Sequence, residues 1–259
     1  MIGAIIGDYV GSAYEFHNTK DYHFDMITPQ SEITDDSIMS IAIADAILQD
    51  KPYAERMRYW GNKYPNPKGA YGGSFSAWLH SSNPQPYNSW GNGAAMRVSP
   101  IGWAFDLLEH VLLQAKLSAE CTHNHVEGIK GAQATSTAIF LARQGETKQW
   151  IKKYIESKFG YNLSFKIASI KANYKFDVSC QGTVPPALVC YLESTSFEDA
   201  IRLAVSLGGD SDTLGCITGS IAEADQTYSI SPDLKEAAIK TVPSDLKAII
   251  MQFISQYKA

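Results

Sequence analysis

Two short acidic clusters constrain this chain more than any other feature: Thr34-Asp35-Asp36-Ser37 near its start and Asp210-Ser211-Asp212-Thr213 near its end. Each opens a run of small and aliphatic residues, so each belongs where a buried element begins. Four carboxylates cannot share one buried space as bare anions, because desolvation is costly and the like charges repel. If the clusters meet, they need cations. Oxygen ligands with no nearby Cys favour a hard ion such as Mg²⁺ or Mn²⁺ over Zn²⁺. A site shared by both clusters would hold two such ions roughly 3.5–4 Å apart.

Helix geometry says where the clusters must sit. Consecutive residues inside a helix point about 100° apart and cannot converge on one ion. At a helix N-terminus the cap residue is non-helical, and first-turn side chains can converge ahead of the axis. Thr34-Asp35-Asp36 suits that position because the apolar run begins at Ile38, and Asp210–Thr213 suits it because Gly208-Gly209 supply a permissive turn before Leu214. Either cluster alone reads as an ordinary N-cap that complements the helix dipole. Two carboxylates before a buried helix, found twice, favour metal binding. An EF-hand fails, since loop position 12 from Asp210 is Ile221, not Glu.

The periodicity elsewhere is helical. Gly3, Gly7 and Gly11 recur every four residues and line one stripe of a first helix, where another backbone can approach closely. Asp8 and Glu15 share another face of that helix. Further helices are expected at Ile38–Leu48, Tyr53–Tyr64, Ile101–Leu117, His125–Arg143, Thr147–Phe159, Pro185–Leu192, Phe197–Leu207, Leu214–Ala224 and Pro232–Phe253, the last broken at Pro243. Residues 68–92 read as a loop with a short helix around Phe75–His80, and 159–179 is ambiguous. Strand alternation is nearly absent, which gives an all-α fold, and no linker divides residues 1–259 into separate domains.

Composition narrows the function classes. Hydrophobic residues form 45% and charged residues 19%, with a net charge of −5 and no basic stripe, so generic nucleic-acid or anionic-membrane binding is disfavoured. No apolar run reaches the ~20 residues needed to span a bilayer, and the N-terminus lacks a basic n-region. Cys121, Cys180, Cys190 and Cys216 form no CxxC pair, which suggests reduced thiols and a cytoplasmic protein. Monomer is the default oligomeric state.

Three further segments carry chemistry. Gly91-Asn92-Gly93-Ala94-Ala95-Met96-Arg97 can bring backbone N–H groups close to phosphate oxygens, although Asn-Gly alone favours a plain hairpin or helix-entry turn. Arg97 suits a phosphate or, at least equally, a structural ion pair within the fold. His123 and His125 stand two apart, which does not place both on one helix face. His123 could hydrogen-bond a ligand, while His125 reads as structural. Glu15 ends the first helix before a polar stretch and could orient water or act as a base on a mobile loop.

Taken in order, these segments resemble the ADP-ribosylglycohydrolase family, whose founding bacterial member reactivates ADP-ribosylated dinitrogenase reductase. Gly3–Gly11 with Glu15 looks like the family's first helix, Thr34–Ser37 its first metal motif, Gly91–Arg97 its ligand loop, Thr122-His123 its middle motif, and Gly208–Thr213 its second metal motif. The resemblance implies a compact all-α fold with two Mg²⁺ or Mn²⁺ ions at the bottom of a cleft. Thr34, Asp35, Asp36, Asp210, Asp212 and Thr213 would hold the metals. Glu15 would sit on a flap over the ribose, and Gly91, Asn92, Gly93, Met96 and His123 would line the diphosphate and ribose pocket. Val126 stands where relatives often carry Pro, a departure that touches no metal ligand.

The implied reaction is hydrolysis at C1 of the distal ribose, with Glu15, Asp36 or Asp212 accepting the proton. The partner would be an ADP-ribosylated protein or a small ADP-ribose conjugate. Arginine-linked ADP-ribose is the first choice of acceptor; serine, O-acetyl and nucleic-acid linkages stay open. Two other readings are a non-catalytic ADP-ribose binding module and a phosphoesterase using the same ions.

Overall fold

The closest backbone contact in the molecule is made by two helices from opposite ends of the chain. In the computed structural model, which describes residues 1–257, α1 (Ile2–Gly11) lies against α13 (Ser211–Ala222). A Cβ added at Gly3 would collide with the carbonyl of Gly219, one at Gly7 with that of Gly215, and one at Gly11 with that of Ser211. The pairing runs antiparallel: 3 meets 219, 7 meets 215, 11 meets 211. Both helices carry small residues at a spacing of four, so one stripe on each faces the other across almost no side-chain volume. The partner stripe of Ser211, Gly215 and Gly219 carries the same spacing of four in the sequence.

Thirteen further helices accompany this pair among the described residues. The first half contributes α2 (Asp35–Gln49), α3 (Tyr53–Lys63), α4 (Gly73–His80), α5 (Gly93–Met96), α6 (Ser99–Ala104) and α7 (Leu108–Glu120). The second half contributes α8 (Val126–Arg143), α9 (Lys148–Phe159), α10 (Ile167–Ile170), α11 (Cys180–Glu193), α12 (Phe197–Leu207), α14 (Pro232–Thr241) and α15 (Ser244–Tyr257). No strand occurs among the described residues, only isolated bridges at Thr34–Lys68 and Gly91–Ser179. The all-α expectation therefore holds. No helix among the described residues is long and apolar enough to cross a membrane.

Helix α8 packs against α5, α6, α7, α9, α11 and α13. Contact on so many sides needs small residues. Gly131 admits the Cys180 side chain, and Gly102 of α6 rests directly on Ile139. His125 caps α8 by accepting from the Glu127 amide at 3.1 Å, the structural role expected of it. All four cysteines are free thiols.

Two expected helix boundaries are corrected. Ile101–Leu117 is two helices, α6 and α7, parted by an extended segment after Ala104. Arg143 accounts for the break: its guanidinium takes the carbonyls of Trp103 and Phe105 at 2.7 Å each and so satisfies the end of α6 from outside. The helix expected from Pro185 begins earlier, at Cys180, and encloses Pro185 and Pro186. Pro186 has no amide for the Gly182 carbonyl, and the Tyr174 hydroxyl donates to that carbonyl at 2.8 Å instead. Between Phe159, which ends α9, and Ser179, only the four residues of α10 are helical.

The α1–α13 contact leads to a stability prediction. Gly215→Ala should destabilise the fold by about 3 kcal/mol or more, since backbone faces backbone and neither side chain can yield. Gly72→Ala is the control, because a Cβ there meets nothing within 4 Å, and it should change stability by less than about 0.5 kcal/mol. Urea denaturation of both variants checks the pair; equal midpoints would contradict the packing.

Candidate active site

The antiparallel pairing brings the C-terminal end of α1 to the N-terminal end of α13, and Asp8 of α1 then reaches sideways to α2. Its carboxylate is fully buried. It accepts from the Thr34 amide (2.9 Å), the Thr34 hydroxyl (2.8 Å), the Ser37 amide (3.0 Å) and, by a further short contact, the Ser37 hydroxyl. Burial nonetheless outweighs these donors and pushes the Asp8 carboxyl up to about 6. One side chain thus fixes the first turn of α2, where Asp35 and Asp36 stand. Glu15 shares no helical face with Asp8, contrary to expectation, because α1 ends at Gly11 and Glu15 lies in the irregular segment beyond it.

Both acidic clusters occupy helix N-termini, as the geometry demanded. Thr34 is the N-cap of α2 and accepts from the Asp36 amide at 3.2 Å. Asp210 is the N-cap position of α13. The turn before it needs glycine: Gly208 and Gly209 have φ of 74° and 79°, in the left-handed region. Asn92 donates its side-chain amide to Asp210 Oδ2 at 2.7 Å and to Thr183 Oγ1 at 3.1 Å, which ties the glycine loop to the second cluster.

The clusters meet. Asp35, Asp36, Asp210, Asp212 and Thr213 line one cleft of about 450 Å³, together with Glu15, Gly91, Asn92, Gly93, Met96 and His123. Thr213 Oγ1 stands 3.4 Å from Asp36 Oδ1. Thr34 sits just behind, its hydroxyl engaged with Asp8 and the Asp36 amide. The tightest group is Glu15, Asp210 and Asp212, whose nearest oxygens all lie within 4.8 Å of one another. Glu15 therefore stands among the carboxylates of the second cluster. Asn18, which the sequence did not flag, pins it there. Its side chain donates to the carbonyls of Glu15 and Gly209 at 2.9 Å each and accepts from the Gly209 amide at 2.7 Å.

The electrostatics match this crowding. Burial first, then the Asp212 charge, pushes Glu15 up to about 8. Burial raises Asp210 to about 6. Asp35, Asp36 and Asp212 rise well above the usual carboxylate range, each through burial first and a neighbouring Asp second. Asp36 Oδ2 and Glu15 Oε2 are buried without a hydrogen-bond partner. Orphaned anionic oxygens of this kind are what a divalent cation satisfies, and the all-oxygen donor set suits a hard ion. The residues fit a metal.

The opposite wall is the glycine loop. It forms no hairpin: Asn92 is in the right-handed helical region and leads into α5. His123 is buried, and burial holds its imidazole well below its ordinary value, hence neutral. The Arg97 guanidinium donates to the Ser118 carbonyl at 2.7 Å and to Thr122 Oγ1 at 2.8 Å, neutral oxygens of the fold in place of the structural ion pair expected of it.

With this geometry established, known proteins give it a context. The chain belongs to the ADP-ribosylglycohydrolase family, whose sequence profile matches residues 1–234. The family is one of hydrolases, and the chain is an enzyme of that class. It is 26% identical over 302 aligned positions to ADP-ribosylhydrolase ARH3 of Homo sapiens, covering 86% of this chain and 83% of that protein. It is 25% identical to ADP-ribosylarginine hydrolase Tri1 of Pseudomonas putida, covering 89% of this chain and 70% of that protein. A solved structure titled ADP-ribosylglycohydrolase-related protein complex superposes with a TM-score of 0.72 at 19% identity, covering 99% and 97% of the two chains, and so shares the fold.

Two outcomes follow from the cleft. Asp8, Asp210 and Glu15 hold protons in the folded chain at pH values where the unfolded chain has released them, since their values rise from 3.8, 3.8 and 4.5 to about 6, 6 and 8. Stability of the metal-free protein should therefore fall as pH rises from 4 to 8, by roughly 5 °C in Tm or more. Millimolar Mg²⁺ or Mn²⁺ should flatten that slope, and calorimetry at several pH values reads both. Separately, Asp8→Asn puts an amide group among four donors and should cost about 3 kcal/mol in urea denaturation.

Proposed function

We propose that this protein hydrolyses the bond between C1 of the distal ribose of an ADP-ribosyl group and its acceptor, with two Mg²⁺ or Mn²⁺ ions bound by Thr34, Asp35, Asp36, Asp210, Asp212 and Thr213. The observation that carries the reading is the convergence of both acidic clusters and Glu15 on one cleft whose other wall is the Gly91–Met96 loop with His123. When bound, the ions supply positive charge that orients ribose hydroxyls and eases deprotonation of water.

The chain's own residues do the rest. Asp36 Oδ2 and Glu15 Oε2, the oxygens without protein partners, are free to take a cation or to hold the proton released by water at C1. Asp212, beside both Asp210 and Glu15, is the third candidate acceptor for that proton. Gly91 and Gly93 leave room for the diphosphate, and His123 offers a ring nitrogen at the same wall. Binding energy from the ADP portion, remote from the cleaved bond, holds the anomeric carbon in place.

For the acceptor we favour arginine-linked ADP-ribose on protein, the linkage named for the Pseudomonas putida relative. The ARH3 relative's name specifies no acceptor, which leaves O-linked forms as the second reading.

Purified protein with Mg²⁺ or Mn²⁺ should release ADP-ribose from an ADP-ribosyl-arginine substrate, and EDTA should abolish release. Asp35→Ala and Asp212→Ala should each lower kcat by about 10³-fold or more. Chromatographic quantitation of free ADP-ribose across arginine, serine and O-acetyl linkages measures both points. Near-normal turnover in either variant would overturn the ligand assignment.

A further inference from the structure

The glycine loop ends on a cation that the proposed reaction does not use. Arg97 is 1% exposed. Its Nη2 donates both to the Ser118 carbonyl at 2.7 Å and to Thr122 Oγ1 at 2.8 Å. The second of these bonds constrains the next residue along the chain. Arginine can only donate, so Thr122 Oγ1 must accept from it, and the hydroxyl has one proton left to give.

The Tyr87 hydroxyl and the Cys121 thiol lie near the Thr122 side chain, and two acceptors stand at defined hydrogen-bond distances from its oxygen. His123 Nδ1 lies 2.8 Å from Thr122 Oγ1, and the Ala119 carbonyl lies 3.4 Å away. The Ala119 carbonyl already accepts from the Thr122 amide at 3.0 Å and the His123 amide at 2.7 Å. The shorter contact goes to the acceptor with no other donor, so the proton points at Nδ1. A neutral imidazole whose Nδ1 accepts carries its own proton on Nε2. That nitrogen faces the loop, where a Cβ added at Gly91 or Gly93 would lie 3.3 or 3.2 Å from it.

We infer that Arg97, acting through the Thr122 hydroxyl, locks His123 as the Nε2–H tautomer and so aims one fixed hydrogen-bond donor into the cleft beside Gly91 and Gly93. Arg97 and Thr122 are positioning residues in this scheme. Burial keeps the ring from gaining a second proton, with the Arg97 charge as a smaller influence in the same direction. A donor with no net charge suits an oxygen acceptor such as a phosphate oxygen or a ribose hydroxyl. That last step, unlike the tautomer itself, rests on the function proposed above.

The test reads the tautomer directly. Protein labelled with ¹⁵N-histidine is studied metal-free at neutral pH by long-range ¹H–¹⁵N correlation, with the His123 signals assigned by their loss in His123→Gln. Wild type and Thr122→Ser should show a single Nε2–H form. Thr122→Val removes the hydroxyl, and Arg97→Met frees it to accept from the ring, so each should populate the Nδ1–H form. Calorimetric titration with ADP-ribose should give a Kd about tenfold weaker in those two variants and unchanged in Thr122→Ser. An Nδ1–H ring in wild type, or an unaltered Nε2–H ring in Thr122→Val, overturns the inference, and both readings survive a failure of Arg97→Met to fold. A locked tautomer in a protein that binds no ADP-ribose supports the lock and refutes the functional reading instead.

Discussion

The site depends on one contact, the near absence of side chains between α1 and α13. Gly7 and Asp8 are neighbours in sequence but point about 100° apart on the helix. The glycine face of α1 lets α13 approach until carbonyls limit it, which fixes the start of α13 and with it Asp210 and Asp212. The Asp8 face binds the first turn of α2, which fixes Asp35 and Asp36. A single helix of ten residues therefore sets the distance between two acidic clusters that lie far apart in the chain. Larger residues in the stripe would separate the clusters as well as loosen the core.

The arrangement is electrostatically unfavourable by itself. Five carboxylates line the cleft, and the Arg97 guanidinium along it is turned toward Ser118 and Thr122. The N-termini of α2 and α13 contribute partial positive charge, and Asn92 donates to Asp210. These terms do not offset burial, since every one of the five is raised above its ordinary value. A folded scaffold that crowds carboxyl groups at such cost suits divalent cations, because a concentrated positive charge lowers all of these groups together.

Much of this was legible in the residues. The pairing of acid clusters with apolar runs placed both at helix N-termini, and Gly208-Gly209 announced the left-handed turn between α12 and Asp210. The glycine stripe of α1 announced a close neighbour. What stayed hidden has a common cause: side chains that act across long sequence gaps. Asp8 reading α2, Asn18 pinning Glu15 to Gly209, and Arg143 ending α6 all depend on a tertiary partner that no local pattern encodes. Pro185 and Pro186 misled for the same reason. Their place inside α11 is tolerated because Tyr174, outside the helix, satisfies a freed carbonyl.

The central claim is that carboxylates from both ends of the chain hold the same pair of ions. Anomalous diffraction from crystals grown in Mn²⁺ tests it most directly. The account predicts two manganese peaks in the cleft, flanked by Asp35 and Asp36 on one side and by Asp210 and Asp212 on the other. Peaks bound by one cluster alone, or a fully diffracting crystal with no manganese between them, would contradict it.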